Sequence, residues 1–213
     1  MMQTSYDQVF ENNKKWISDN LERDENFFTH LAKGQSPEFL YIGCADSRVP
    51  ANEIMGLEPG DVFVHRNIAN MVVNTDMNAQ SVIQYAVEHL EVKHVVVCGH
   101  YNCGGVKAAM GNSNLGLLDG WLREVRDVYR LHSTTLNAIE DEHERYNKLI
   151  ELNVMEQCFN VMKTAFVQKS YAQKKFPQVH GWVYDLSNGK LIDLNFDFEN
   201  ALNKIQEVYN ITK

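Results

Sequence analysis

Two short segments carry side chains that could do chemistry together. Cys44, Asp46 and Arg48 alternate in CADSR, and His100 and Cys103 stand three apart in GHYNCGG. Two thiols and an imidazole make a soft donor set that suits zinc, with thiolate at ~2.3 Å and imidazole at ~2.0 Å from the ion. Three protein ligands leave the fourth position to water or substrate, which separates a catalytic zinc site from a structural one. The His100–Cys103 spacing puts both side chains on one side of a starting helical turn. Gly104 and Gly105 allow close backbone approach there, and a helix N-terminus favours the Cys103 thiolate. Asp46, two residues from a thiolate, has three roles open to it: metal ligand, acceptor of a hydrogen bond from water on the metal, or partner of Arg48. The planar donor fork of Arg48 could hold the carboxylate off the metal, which makes a switch between a closed four-ligand site and an open one. A lone His-x-x-Cys is a weak signal, because a buried cysteine beside a capping histidine is common. Two such fragments at the ends of neighbouring strands are not.

Whether they are neighbours depends on the elements around them. Residues 38–43, 62–65 and 94–99 read as short buried strands, so Cys44 and His100 fall directly after the first and third. Residues 76–90 read as a helix started by Thr75 or Asp76, with Val82, Tyr85, Ala86, His89 and Leu90 on one stripe. Strands alternating with helices imply parallel strands joined by right-handed crossovers, and the loops at their carboxyl ends gather into one crevice. The expected fold is therefore α/β, a mostly parallel central sheet flanked by helices. Further helices are expected at 115–129 and 146–168, the latter with Leu152, Met155, Phe159, Met162 and Phe166 on one stripe, and EDEHER (140–145) as a solvated helix start or loop. Residues 179–185 and 190–196 alternate around Ser187-Asn188-Gly189, a hairpin signal. At the other end, Tyr6, Val9, Phe10, Trp16 and Ile17 mark a helical arm, taken as residues 1–34, ahead of one catalytic domain at 35–213.

The 213 residues carry a formal charge of −8, which speaks against nucleic acid and against anionic membrane surfaces as partners, since both need clustered Lys and Arg. No apolar run is long enough to span a bilayer. The opening MMQTSYDQVFENNKKW lacks a signal-peptide segment, so the expected compartment is the cytoplasm. Four cysteines in such a chain are not a disulfide framework. His65, His89, His94, His132, His143 and His180 show no convergent ligand spacing.

With these residues in view the chain resembles a β-class carbonic anhydrase of the bacterial type. The resemblance is carried by CADSRVP (44–50), GDVFVHRNIANMV (60–72), SVIQYAVEHL (81–90), VVCGHYNCGG (97–105, with its flanking valine), ELNVMEQ (151–157) and HGWVYD (180–185). It implies reversible hydration of carbon dioxide to bicarbonate and a proton. It also implies one zinc ion per chain on Cys44, His100 and Cys103, with Asp46 an exchangeable fourth ligand paired to Arg48. It implies a homodimer, assembling further to a tetramer, in which the N-terminal helices lie across the partner. Gln35, Tyr85 and the backbone around Gly104 would line the substrate pocket. Some relatives bind a second bicarbonate through a Trp, an Arg and a Tyr; Arg66 and Tyr184 match, and Tyr41 stands at the Trp position. The rival readings are a related zinc enzyme that hydrolyses carbonyl sulfide or carbon disulfide, and a non-catalytic bicarbonate sensor with a permanently closed site.

Overall fold

Ser5 starts the first helix, its hydroxyl accepting a hydrogen bond from Gln8 N at 3.2 Å. The computed structural model describes residues 5–211, so residues 1–4 of the expected arm and 212–213 of the expected catalytic domain lie outside it. The chain divides between Ser36 and Pro37 into two units. In the N-terminal unit, α1 (Tyr6–Arg23) is joined to α2 (Phe27–Leu31). Trp16 meets the edges of Phe27 and Phe28, with ring centroids 6.1 and 5.4 Å away. The rest of the stripe, Tyr6, Val9, Phe10 and Ile17, is exposed.

The C-terminal unit runs β1 (Phe39–Cys44), α3 (Ala51–Met55), β2 (Val62–Asn67), a short turn at Ile68–Asn70, and α4 (Met77–Gln84), which opens into a π-helical turn at Tyr85–His89. It continues with β3 (His94–His100), α5 (Gly104–Met110), α6 (Leu117–Leu131), α7 (Ser133–Asn137), α8 (Glu142–Met162), α9 (Ala165–Lys174), β4 (Gln178–Asp185), β5 (Lys190–Asp193) and α10 (Phe198–Val208). The strand order is β2-β1-β3-β4-β5. The first four strands are parallel and only β5 runs against β4. This is the expected α/β architecture with its antiparallel pair. No described helix is long and apolar enough to cross a membrane.

Alternation along β1 and β3 sends Leu40, Ile42, Val95 and Val97 into the main core and Tyr41, Val96 and Cys98 into a smaller one on the other face. The main core lies under α8. Gly99 and Gly181 let that helix come close: a Cβ at either would stand 2.7 or 3.1 Å from the Val154 methyls. On the other face the ring of Tyr41 lies over Gly43, where a Cβ would meet ring carbon Cε1 at 2.1 Å. Only glycine fits beneath that ring.

Three expectations need correction. The strands run further than the apolar runs suggest, so Cys44 and His100 are the last residues of β1 and β3 rather than the first beyond them. The helix expected at 146–168 is two helices. Asp141 caps α8 through Glu144 N, which makes EDEHER the helix start, and the break comes at Thr164. There the backbone is extended and the hydroxyl turns back onto the Val161 carbonyl at 2.7 Å. The stripe of α8 also differs. Its buried line is Tyr146, Leu149, Ile150, Asn153, Val154, Gln157, Cys158, Val161 and Met162, while Leu152, Met155 and Phe159 sit half-buried on the shoulder.

Candidate metal centre

Adjacent parallel strands place the first two donors. Gly43 of β1 stands beside Cys98 of β3, so Cys44 and His100 end neighbouring strands on the same edge of the sheet. Cys103 follows at the N-cap position of α5 after Asn102, whose φ of 60° turns the chain back toward the sheet. The donor atoms of Cys44, His100 and Cys103 all lie within 4.8 Å of one another, and all three residues are buried.

The donor set fits zinc on three counts. The two sulfurs are 3.9 Å apart, against the ~3.8 Å expected for two thiolates at ~2.3 Å from one tetrahedral ion. His100 Nδ1 lies 3.0 Å from the Tyr101 carbonyl, so it is the protonated nitrogen and donates there. That leaves the lone pair on Nε2, which is buried and has no hydrogen-bond partner. A buried orphan of this kind is costly unless something else satisfies it. Of the two thiols, that of Cys44 is held down because the Cys103 thiol hydrogen-bonds its thiolate, while the same contact and burial push Cys103 up. One anionic sulfur is therefore ready to meet a cation.

Asp46 lies beside this set. Arg48 grips it with two parallel hydrogen bonds, Nε to Oδ1 at 2.9 Å and Nη2 to Oδ2 at 2.7 Å, and Arg48 N adds a third to Oδ1 at 2.9 Å. This pairing holds the carboxyl well below the usual carboxylate range. Oδ2 is 3.7 Å from His100 Nε2, beyond hydrogen-bond reach. The carboxylate thus points at the donor set yet is committed to the guanidinium.

Arg66, singled out from the sequence only for a second bicarbonate site, and three residues of α8 that were not singled out fix the surrounding loops. Arg66 donates from Nε to the Cys44 carbonyl at 2.8 Å and from Nη2 to the Asp46 carbonyl. Tyr146 of α8 donates its hydroxyl to the Cys103 carbonyl at 2.7 Å. From the same helix, Asn153 Nδ2 holds the Ala69 carbonyl at 3.0 Å, and Gln157 Oε1 accepts from Val72 N at 2.8 Å. Ala69 and Asn70 both have positive φ, so this turn needs outside support. Polar residues spaced four apart on a buried helix face were the signal available in ELNVMEQ.

The carbonic anhydrase family model matches residues 39–191. Over 212 residues the chain is 59% identical to a carbonic anhydrase of Emericella nidulans, covering 100% of this chain and 93% of that one. The chain belongs to the β-class carbonic anhydrases. Among solved structures, the β-carbonic anhydrase CafA of Aspergillus fumigatus superposes with a TM-score of 0.89 at 41% identity, over 95% of this chain and 97% of that chain. One of two tetrameric β-carbonic anhydrases of Sordaria macrospora gives 0.86 at 41% identity, over 91% and 98%. These relatives are fungal, so the bacterial subtype expected from the sequence is not borne out.

As a β-class carbonic anhydrase the chain interconverts carbon dioxide and bicarbonate, and Cys44, His100 and Cys103 form the zinc-type site of that class. Gly104 lines a cleft of about 300 Å³ with Cys44, Ala45, Asp46, Ile68 and Leu118, so its backbone faces the donor set. Tyr85 opens the π-helical turn, 46% exposed, its ring 5.8 Å from that of Phe63. Gln35 belongs to the N-terminal unit and is exposed. Tyr41, Arg66 and Tyr184 fall on one face of the sheet, because Tyr41 alternates with Gly43, which pairs with Arg66 and Cys98, and His100 pairs with Tyr184. Tyr41 is wholly buried and its hydroxyl has no hydrogen-bond partner.

Proposed function

We propose that one zinc ion per chain is held by Cys44, His100 and Cys103 and that Asp46, kept in the fork of Arg48, orients the attacking water. The carrying observation is the unpartnered, buried Nε2 of His100 facing two sulfurs 3.9 Å apart. Zinc bound there supplies the Lewis acid that acidifies water toward neutrality. The chain's own groups do the rest. Asp46 accepts a hydrogen bond from the water and turns its lone pair toward the carbon of carbon dioxide. Tyr85 and the backbone at Gly104 are proposed to position this apolar substrate and to receive bicarbonate; Gln35 is a substrate contact on the resemblance alone.

The thiolates of Cys44 and Cys103 cancel the formal charge of a divalent ion, which makes the site less acidifying than one built of neutral imidazoles. Hydration therefore rises with pH through neutrality and above it. Asp46 does not shape that rise, since Arg48 holds it ionised well below the range concerned. Stopped-flow hydration across pH, with zinc content measured on the same sample, tests this. A full complement of zinc with no hydration at high pH overturns the reading.

The second bicarbonate site is proposed at Tyr41, Arg66 and Tyr184. The orphaned Tyr41 hydroxyl supports it, as does the proximity of Arg66 to the carbonyls of Cys44 and Asp46, through which an anion could act on the metal centre. Dependence on bicarbonate is expected to be sigmoidal and to become hyperbolic in Arg66→Ala. Because Arg66 also braces the loop, Tyr41→Phe, which removes only a hydroxyl, serves as the second arm. Hyperbolic behaviour of the unsubstituted protein removes the site.

The chain is further proposed to act as a homodimer that assembles to a tetramer, with α1 laid across the partner. The exposed stripe Tyr6, Val9, Phe10 and Ile17 supports an apolar partner surface, and the Sordaria macrospora relative is tetrameric. Four cysteines, all free, suit the reducing cytoplasm.

A further inference from the structure

The cleft at the donor set has an apolar side. Ile68, Ala108 and Leu118 line it together with Cys44, Asp46 and Gly104, and Ile68 is 40% exposed. Carbon dioxide carries no net charge and no hydrogen-bond donor, so walls of this kind must place it. A wall displaced by about 1 Å costs rate even when the reacting groups are intact. How Ile68 is held therefore bears on the reaction.

Local backbone preference does not hold it. Ile68 opens the turn whose next residues, Ala69 and Asn70, have φ of 64° and 48°. Left-handed backbone at residues that carry a Cβ persists only where the surroundings enforce it. The supports divide the turn between them. The Asn67 side chain spans it, accepting from Met71 N at 2.7 Å and donating to the Met71 carbonyl at 2.8 Å. Asn153 and Gln157 of α8 take the Ala69 carbonyl and the Val72 N–H. Ile68 itself is held from α6, where Trp121 donates from Nε1 to its carbonyl at 2.8 Å.

That donor stands on a fixed base. Trp121 follows Leu118 by three residues on α6, so both look to the same side of the helix. Its ring packs, partly buried, against the main core. Helix α6 is tied to α5 by Arg126, which donates from Nε to the Ala109 carbonyl at 3.1 Å and from Nη2 to Asp119 at 3.2 Å. Against the Ile68 side chain, Gly105 leaves room, since a Cβ there would stand 2.7 Å from the Ile68 Cγ2 methyl. The side chain thus rests on the first turn of α5, two residues beyond Cys103, while its backbone is fixed from α6.

We propose that Trp121 is a positioning residue for hydration: its indole N–H, by fixing the Ile68 carbonyl, keeps the Ile68 side chain in place as the wall against which carbon dioxide is set. Trp121 touches neither substrate nor metal and acts through Ile68. The inference rests on the metal centre proposed above.

The test replaces Trp121 by 3-benzothienylalanine, which keeps the ring and puts sulfur where the indole N–H was, with Trp121→Phe as the second variant. In the zinc-loaded protein, in strong buffer, the KM for carbon dioxide is expected to rise about fivefold with kcat held within about twofold. Zinc content should match the parent. In an Ile68→Ala background, where the wall is already gone, the same replacement should change KM by less than about 1.5-fold, because residues that act through one another are not additive. A further readout needs neither metal nor turnover. In the metal-free proteins, the amides of residues 69–72 should exchange with solvent faster once the N–H is removed. An unchanged KM overturns the proposal, even beside a lowered Tm, since Trp121 would then serve packing alone. An equal rise in KM with and without the Ile68 side chain overturns it as well. Failure of the underlying reading is distinguishable, because the parent protein itself would then not hydrate carbon dioxide.

Discussion

Cys103→Ala is expected to leave the chain folded, without zinc, and slower in carbon dioxide hydration by more than about a thousandfold, since loss of mere outer-shell partners of a metal ligand already costs 10–100-fold. The fold should survive because what Cys103 gives the structure is mostly backbone. Its carbonyl accepts from Lys107 N at 3.0 Å and from Tyr146 at 2.7 Å, and alanine keeps both bonds. The lost sulfur is buried, so the transfer and cavity cost is of order 1 kcal/mol. The site fares otherwise. Two donors remain from a set of three, and the sulfur 3.9 Å from Cys44 is gone. Metal analysis on the dialysed variant, circular dichroism and stopped-flow hydration together check the prediction. Stoichiometric zinc with near-parental turnover would remove Cys103 from the ligand set and with it the assignment of the centre.

The site residues were legible because their types and spacing leave few other uses. Thiol, carboxylate and guanidinium at alternate positions, and imidazole and thiol three apart, survive small errors in the element boundaries. Cys44 and His100 prove to be strand ends rather than loop residues, yet they remain at the carboxyl edge, where the argument needs them. The elements that hold the centre were harder to read. The apolar stripe of α8 was placed on Leu152, Met155 and Phe159 because Asn153 and Gln157 interrupt the line that is actually buried. Those two amides are inside because they bond the Ala69 carbonyl of the left-handed turn and the Val72 N–H just beyond it. A hydrophobic pattern does not record a requirement set by a loop more than eighty residues away. Similarly, the buried line through the π-helical turn at Tyr85–His89 is Ala79, Ile83, Ala86 and Val87, with Tyr85 and His89 of the expected stripe exposed, and helix α10 closes the core through Ala201, Leu202 and Ile205 with no chemical signature.

Asp46→Ala is expected to keep zinc and to lower kcat by about a hundredfold, the usual scale for a general acid–base group. The two halves of that expectation have separate grounds. Zinc is retained because Cys44, His100 and Cys103 converge without Asp46, whose Oδ2 stands 3.7 Å from His100 Nε2 and is bound instead to Arg48. Turnover falls because no other side chain in the cleft of Cys44, Ala45, Ile68, Gly104, Gly105, Ala108 and Leu118 offers an acceptor to the attacking water. The partner variant sharpens the point. In Arg48→Ala, Asp46 loses the fork that holds both its oxygens, at 2.9 and 2.7 Å, and is free to turn onto the metal. That variant should bind zinc at least as tightly as the parent and hydrate carbon dioxide more slowly, because the position for water is now taken. Arg48→Lys restores the charge but not the two-pronged geometry and should recover only part of the rate. Zinc affinity by chelator competition separates the variants: Asp46→Ala near the parent, Arg48→Ala tighter. Equal turnover in Asp46→Ala and the parent would leave Asp46 as no more than a structural partner of Arg48. The orienting role and the switch would then fall together, since both depend on one carboxylate choosing between a guanidinium and a metal.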